Sequence, residues 1–269
     1  DIKPRIVVLC MHFCEHGDGC HRLSCTKEKH EGENEMIGFY DYTVILTYLS
    51  ILSGTAGIIL CLNGIGHPYL GMFFLLFSGL CDTFDGKVAR MKKDRTAEMK
   101  RFGIQIDSLA DLIAFGVLPA CIGMAMFRSR MQLQVFSGLK IALLQNYPII
   151  YQSVLTTIAI LYVLAAMIRL AYFNVMEESD QNRDKNGEKA YTGLPVTSAA
   201  LIFPAVMILH ILIKADLTLM YFGVMIVVGI LFLSKFKLKK PKNAAIAIMI
   251  AFGALEFLLL LVKLIMCGK

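Results

Sequence analysis

Four aspartates stand where an acidic side chain is expensive. Asp82 and Asp85 lie inside one long apolar stretch of the chain, and Asp107 and Asp111 inside the next. An Asp at the centre of a bilayer helix costs about 3 kcal/mol on insertion scales, so a lone one is commonly paired or snorkels to water. Four at matched depth and spacing ask for another explanation. Asp82, Asp85, Gly86 and Ala89 follow i, i+3, i+4, i+7, and Gly103, Asp107 and Asp111 follow i, i+4, i+8. Each helix then shows a carboxylate stripe flanked by small residues. Two such stripes facing each other repel unless a cation lies between them. Hard oxygen donors in this number suit Mg²⁺ or Mn²⁺, and a pair of ions is compatible with four carboxylates. Gly86, Ala89 and Gly103 leave room for a bulky ligand to reach helix backbone. Arg90, Lys92, Lys93 and Arg95 form a basic rim beside them, which suits a phosphate-bearing ligand.

The elements that must hold these residues are membrane helices. Of 269 residues, 57% are hydrophobic and 18% charged, against about 45–50% and 25% in a soluble domain. That composition excludes a disordered chain, a nucleic-acid-binding domain and an ordinary soluble enzyme. Seven apolar stretches, near 43–62, 68–91, 104–127, 149–173, 194–213, 216–234 and 243–266, each approach the roughly 20 residues a helix needs to cross a bilayer. The stretches are continuous rather than alternating, which disfavours a β-barrel. The sequence predicts an all-α, polytopic integral membrane bundle of six to seven transmembrane helices. Residues 133–146 are mixed in polarity and are expected along the interface.

Charge sets the orientation. The loops after the second, fourth and sixth stretches carry Lys92, Lys93, Arg95, Lys100 and Arg101, then Arg183, Lys185 and Lys189, then Lys235, Lys237, Lys239, Lys240 and Lys242. The intervening loops carry fewer basic residues, with Arg128, Arg130 and Lys140 the largest set. Basic loops stay cytoplasmic. All four aspartates then fall roughly 5–15 Å from the cytoplasmic surface at 1.5 Å per residue. The net charge of +6 reports this orientation and anionic headgroups rather than a nucleic-acid partner.

The pattern Asp82-x-x-Asp85-Gly86-x-x-Ala89-Arg90, a twelve-residue spacer (91–102), then Gly103-x-x-x-Asp107-x-x-x-Asp111 resembles the signature of the CDP-alcohol phosphatidyltransferase family. The spacer is longer than the family's usual one, and the extra residues fall in the inner loop. The stretches 103–120, Arg169-Leu170-Ala171-Tyr172-Phe173-Asn174 and Tyr191-Thr192-Gly193-Leu194-Pro195 look like the phosphatidylserine synthase branch. The first span departs from the pattern, reading Tyr40-Asp41-Tyr42-Thr43 and then Thr47.

The resemblance implies a fold, a reaction and roles. Asp82, Asp85, Asp107 and Asp111 would hold Mg²⁺ or Mn²⁺, two ions in all, with Asp111 also the general base. Gly86, Arg90, Thr96 and Thr47 would contact the lipid substrate CDP-diacylglycerol. Arg169, Asn174 and Thr192 would receive L-serine, Arg169 by a forked contact to its carboxylate. The active site would face the cytoplasm, and a homodimer is compatible with the family. Another alcohol acceptor, glycerol 3-phosphate or an inositol compound, stays open. So does a different class, an ion-coupled transporter, although that would bring broken helices and internal repeats that the sequence does not display.

Residues 1–35 differ from the rest. They carry Cys10, Cys14, Cys20 and Cys25 with His12, His16, His21 and His30 interleaved. The spacing departs from the usual Cys-x-x-Cys zinc pair, so a zinc site and an unstructured cytoplasmic leader both stay open. The domain division is 1–35 for this leader and 36–269 for the membrane domain. No candidate site residue lies in the leader. Deleting 1–35 is therefore predicted to leave the implied transferase activity unchanged, measured as CMP released per mole of purified protein.

Overall fold

The computed structural model describes residues 38, 40–63, 68–92, 94–132, 148–178, 191–213, 216–235, 237–238, 251, 253–259 and 261–262. The chain divides into two units, Asp1–Gly38 and Phe39–Lys269. The Cys/His-rich segment, Lys93 and the interfacial stretch 133–146 lie outside the described residues.

The first helix, α1 (Ile45–Asn63), buries Thr47, Ser50, Ser53, Gly54, Gly57 and Cys61. Its exposed side carries Ile45, Leu49, Leu52, Ile59 and Leu62. This is the reverse of a water-soluble amphipathic helix. Small and hydroxyl residues face the protein, and branched apolar ones face outward where lipid would lie. The small face lets α2 (Pro68–Met91) approach closely. Ser53 Oγ donates to Phe74 O at 2.9 Å, and Ser78 Oγ returns a bond to Ser50 O at 3.0 Å.

After the inner loop, α3 (Ala97–Asp111) starts at Thr96, whose side chain accepts from Met99 N. A π-helical turn, Leu112–Val117, joins it to α4 (Leu118–Gln132). The second long span is thus one rod with an internal register shift. It runs against α1: a Cβ on Gly54 would lie 3.1 Å from Ala114 Cα in the π-turn, and one on Gly57 would lie 2.9 Å from Leu118 Cδ1. Next come α5 (Pro148–Glu178), α6 (Ala199–Ile213) and α7 (Thr218–Leu233). Their core is aromatic. Phe203 meets the Tyr162 ring edge-on at 5.5 Å and the Tyr221 ring at 5.0 Å. Helical residues at 253–259 carry Phe257, which packs on Phe73 of α2 at 4.6 Å.

Among the described residues, Ile45–Asn63, Ala97–Ser129 and Ile149–Met176 are long and apolar enough to cross a membrane, and Val196–His210 and Thr218–Leu233 are shorter apolar helices. Helix α2 has the length, 24 residues, but carries Asp82, Asp85, Lys87 and Arg90 in its second half. The expected all-helical membrane bundle is the architecture observed. One feature differs from expectation. Tyr191–Thr192 pairs antiparallel with Lys237–Leu238 (β1 and β2). Gly193 then turns the chain at φ +78°, a conformation costly for any residue with a Cβ, before a 3₁₀ turn at Val196–Ser198 leads into α6.

Close helix contact makes two glycines unequal. A Cβ on Gly71 would lie 2.7 Å from both Cys61 Sγ and Ile122 Cγ1, whereas one on Gly223 would meet nothing within 4 Å. Gly71→Ala should cost about 1–3 kcal/mol by overpacking. Gly223→Ala should stabilise by up to about 1 kcal/mol through helix propensity. Thermal unfolding of the detergent-purified protein measures both.

Candidate active site

Helices α2 and α3 bring their acidic stripes together. Asp82, Asp107 and Asp111 each offer a carboxylate oxygen, and these atoms all lie within 4.8 Å of one another. Asp111 is 8% exposed and Asp85 likewise 8%. Asp82 meets Asp111, and Asp85 meets Asp107, in side-chain contact. Thr47 on α1 closes the set: its hydroxyl donates to Asp85 Oδ2 at 3.3 Å. The carboxylates come from two rigid helices, and a third helix orients one of them. Acidic groups at this separation in a poorly hydrated interior cannot all stay charged without a cation. An all-oxygen donor set of this kind fits a hard divalent ion.

Gly86 is exposed at the same level of α2, and its N–H donates to the Asp85 carboxyl. Arg90 occupies the last turn of α2, with its side chain outside the described residues. Thr96 is exposed and serves as the N-cap of α3. It stands roughly 16 Å along the helix from Asp107 at 1.5 Å per residue. It is therefore at the inner mouth rather than among the carboxylates. The mouth is pinned by Lys92, whose Nζ meets Asp41 Oδ2 at 2.5 Å and lies over the Tyr42 ring at 5.8 Å. The Lys92 ammonium holds the Asp41 carboxyl below the usual carboxylate range. Arg95 donates to Ala89 O at 3.4 Å and Met99 O at 3.3 Å. Its Nη2 lies 2.7 Å from where a Cβ on Gly103 would be, so the glycine gives the guanidinium its seat.

On the other side stands α5. Arg169 is buried. Its Nε donates to Leu194 O at 3.0 Å, and its guanidinium lies over Phe173 at 5.8 Å. A cavity of about 140 Å³ opens beside it, lined also by Tyr172, Phe232, Ser234 and Lys235. Asn174 is tied to α3, because Ser108 Oγ donates to its Oδ1 at 3.0 Å. Thr192 lies in β1, with its side chain outside the described residues. Residue spacing assigns no site role to Ser108 or Lys235. Ser108 directly follows Asp107, and that adjacency was the available signal for it. Lys235 reaches the Arg169 cavity only because α7 folds back beside α5, which no spacing reveals.

The family model of CDP-alcohol phosphatidyltransferase matches residues 43–267. The chain belongs to that family. Over 166 residues it is 31% identical to the CDP-diacylglycerol–serine O-phosphatidyltransferase of Saccharomyces cerevisiae, covering 58% of this chain and 50% of the yeast protein. To the protein of that same name from Methanocaldococcus jannaschii it is 27% identical over 211 residues, 78% of this chain and 77% of the relative. To the archaetidylserine synthase of Methanothermobacter thermautotrophicus it is 27% identical over 169 residues, 63% of this chain and 58% of the relative. The chain thus spans about half the length of the yeast relative. No solved structure matches it.

If the three converging carboxylates hold an ion, Asp107→Asn should weaken Mn²⁺ binding about tenfold or more, because ligand charge sets affinity at such sites. Glu98→Gln should leave it unchanged, since Glu98 is exposed in the first turn of α3. Equilibrium Mn²⁺ binding to the purified protein reads both.

Proposed function

We propose that this chain transfers the phosphatidyl group of CDP-diacylglycerol to L-serine, giving phosphatidylserine and CMP, at a two-metal site facing the cytoplasm. The observation that carries the reading is the convergence of Asp82, Asp107 and Asp111 within 4.8 Å, with Asp85 held beside them by Thr47. The serine phosphatidyl transfer named in two of the relatives supports the choice of donor and acceptor. Lys92 and Arg95 lie in the loop between α2 and α3, Lys100 and Arg101 in the first turns of α3, and Lys235 just after α7, and these basic residues support the cytoplasmic orientation. Residues 36–269 are then the membrane enzyme domain.

Asp82, Asp85, Asp107 and Asp111 would hold Mg²⁺ or Mn²⁺, which would offset the charge of the diphosphate and of the departing CMP. Gly86 and Arg90 flank the place where the diphosphate enters. Thr47 contributes by orienting Asp85, and Thr96 by standing at the mouth. The serine hydroxyl attacks the phosphorus that bears the diacylglycerol. Its proton passes to Asp111, and the bond to the bridging oxygen breaks, that oxygen leaving with CMP. A hydroxyl is a weak nucleophile at neutral pH, so a base within hydrogen-bond reach is needed. Arg169 receives the serine carboxylate. Asn174, held against Ser108, and Thr192 are the other two residues assigned to serine.

The test is an acceptor panel with purified protein, CDP-diacylglycerol and Mn²⁺. CMP release is expected with serine and not with glycerol 3-phosphate or inositol compounds, and it should vanish in excess chelator. Asp111→Asn should lower turnover by about 10²–10⁴, the worth of a positioned base, while CDP-lipid binding persists. Release with glycerol 3-phosphate alone would reassign the acceptor. Cation flux without CMP release would favour the transporter class. Recovery of Asp111→Asn in excess metal would leave Asp111 a ligand and not the base.

A further inference from the structure

We infer that Tyr162 is a positioning residue for Asp111, acting through the π-turn that follows it; this rests on the role proposed for Asp111 above. The π-turn Leu112–Val117 begins at the residue after Asp111. In an unbroken α-helix Asp111 and Leu118, seven residues apart, would share a face. Here they do not serve the same contact. Asp111 meets Asp82 of α2. Leu118 instead fills the notch at Gly57 of α1, its Cδ1 2.9 Å from where a Cβ there would lie. A π-turn absorbs one extra residue into the ladder and so turns the rod on its two sides relative to each other by roughly one residue's rotation of 100°. Reversion to an α-helix would swing either the carboxylates away from α2 or Leu118 and Ile122 out of their seats.

Two features hold the register. Pro119 has no N–H, so residue 119 offers a donor neither to Ala114 O, which would take it in the π register, nor to Phe115 O, which would take it in the α register. Tyr162 of α5 supplies one, its Oη donating to Phe115 O at 2.7 Å. Tyr162 is 2% exposed, so no water competes. Four residues further along the same face of α5, Ala166 Cβ lies 3.4 Å from where a Cβ on Gly116 would be. The face of α5 that carries Arg169 therefore also grips the π-turn. Tyr221 gives an internal comparison. It is equally buried, and its Oη donates to Pro119 O at 2.9 Å, a bond of the same type placed beyond the π-turn in α4.

The experiment compares Tyr162→Phe and Tyr221→Phe in the full chain. Mn²⁺ binding, kcat, serine KM and unfolding temperature are measured for each. Both tyrosine variants should lose thermal stability to a similar degree. Only Tyr162→Phe should raise the Mn²⁺ dissociation constant and lower kcat, each about tenfold, the usual effect of losing a group that orients a ligand, with serine KM unchanged. Equal Mn²⁺ and kcat shifts in the two tyrosine variants would overturn the inference. So would an unchanged Mn²⁺ affinity and kcat in Tyr162→Phe. If Tyr162→Phe does not fold, 4-fluorophenylalanine at position 162, which fills the space of the hydroxyl without donating, decides, and wild-type Mn²⁺ affinity there overturns the inference. A parent that binds Mn²⁺ but ignores serine overturns the proposed acceptor, while the Mn²⁺ comparison still decides Tyr162. A parent that binds no Mn²⁺ overturns both.

Discussion

Packing four carboxyl groups of two adjacent helices into a region of low dielectric is the constraint on which the rest of this structure depends. Such groups repel, and desolvation disfavours their charged forms. They are tolerated together only if something positive or a proton is shared among them, and only if rigid elements prevent them from turning away. Helices α2 and α3 supply the rigidity. Helix α1 supplies a donor, Thr47 to Asp85, and a surface small enough to let the three helices close.

A membrane protein has little hydrophobic driving force between helices, because lipid is as apolar as leucine. Close van der Waals contact and hydrogen bonding must hold the helices instead. That is why the buried face of α1 is made of Thr, Ser and Gly, and why serines bond across α1 and α2 in both directions. The same closeness serves the site. Glycine at positions 54 and 57 brings α1 against the rod that carries Asp107 and Asp111, and a glycine at 103 seats Arg95 at the mouth. Packing and chemistry are thus met by the same small residues.

Helix α5 joins the two sides of the centre. Along one side of it run Tyr162, which grips the π-turn, Ala166, which lies against it, and Arg169, which borders the cavity. Farther along, Asn174 is bonded to Ser108, the neighbour of Asp107. A ligand held at Arg169 and an ion held by the aspartates would therefore be braced by one continuous helix. Such bracing would fix the separation of whatever the two places hold, as proximity and orientation effects require.

Much of this was legible from residues alone. Hydrophobic run length marked the helices, since lipid leaves no alternative to satisfied backbone, and helical periodicity put Asp82 with Asp85 and Asp107 with Asp111 on single faces. The acidic cluster followed because charge in an apolar run has few stable outcomes. Other features needed the folded chain. The π-turn after Asp111 is a one-residue phase shift that simple periodicity passes over, and the Tyr162 hydroxyl that bonds to it comes from a helix distant in sequence. The pairing of Tyr191–Thr192 with Lys237–Leu238 joins segments far apart in sequence, as does the approach of Lys235 to Arg169. Local pattern reports which face of an element is buried. Which partner it is buried against, and at what rotation, is decided by close packing and hydrogen bonding between elements, and that information resides in no single stretch of the chain.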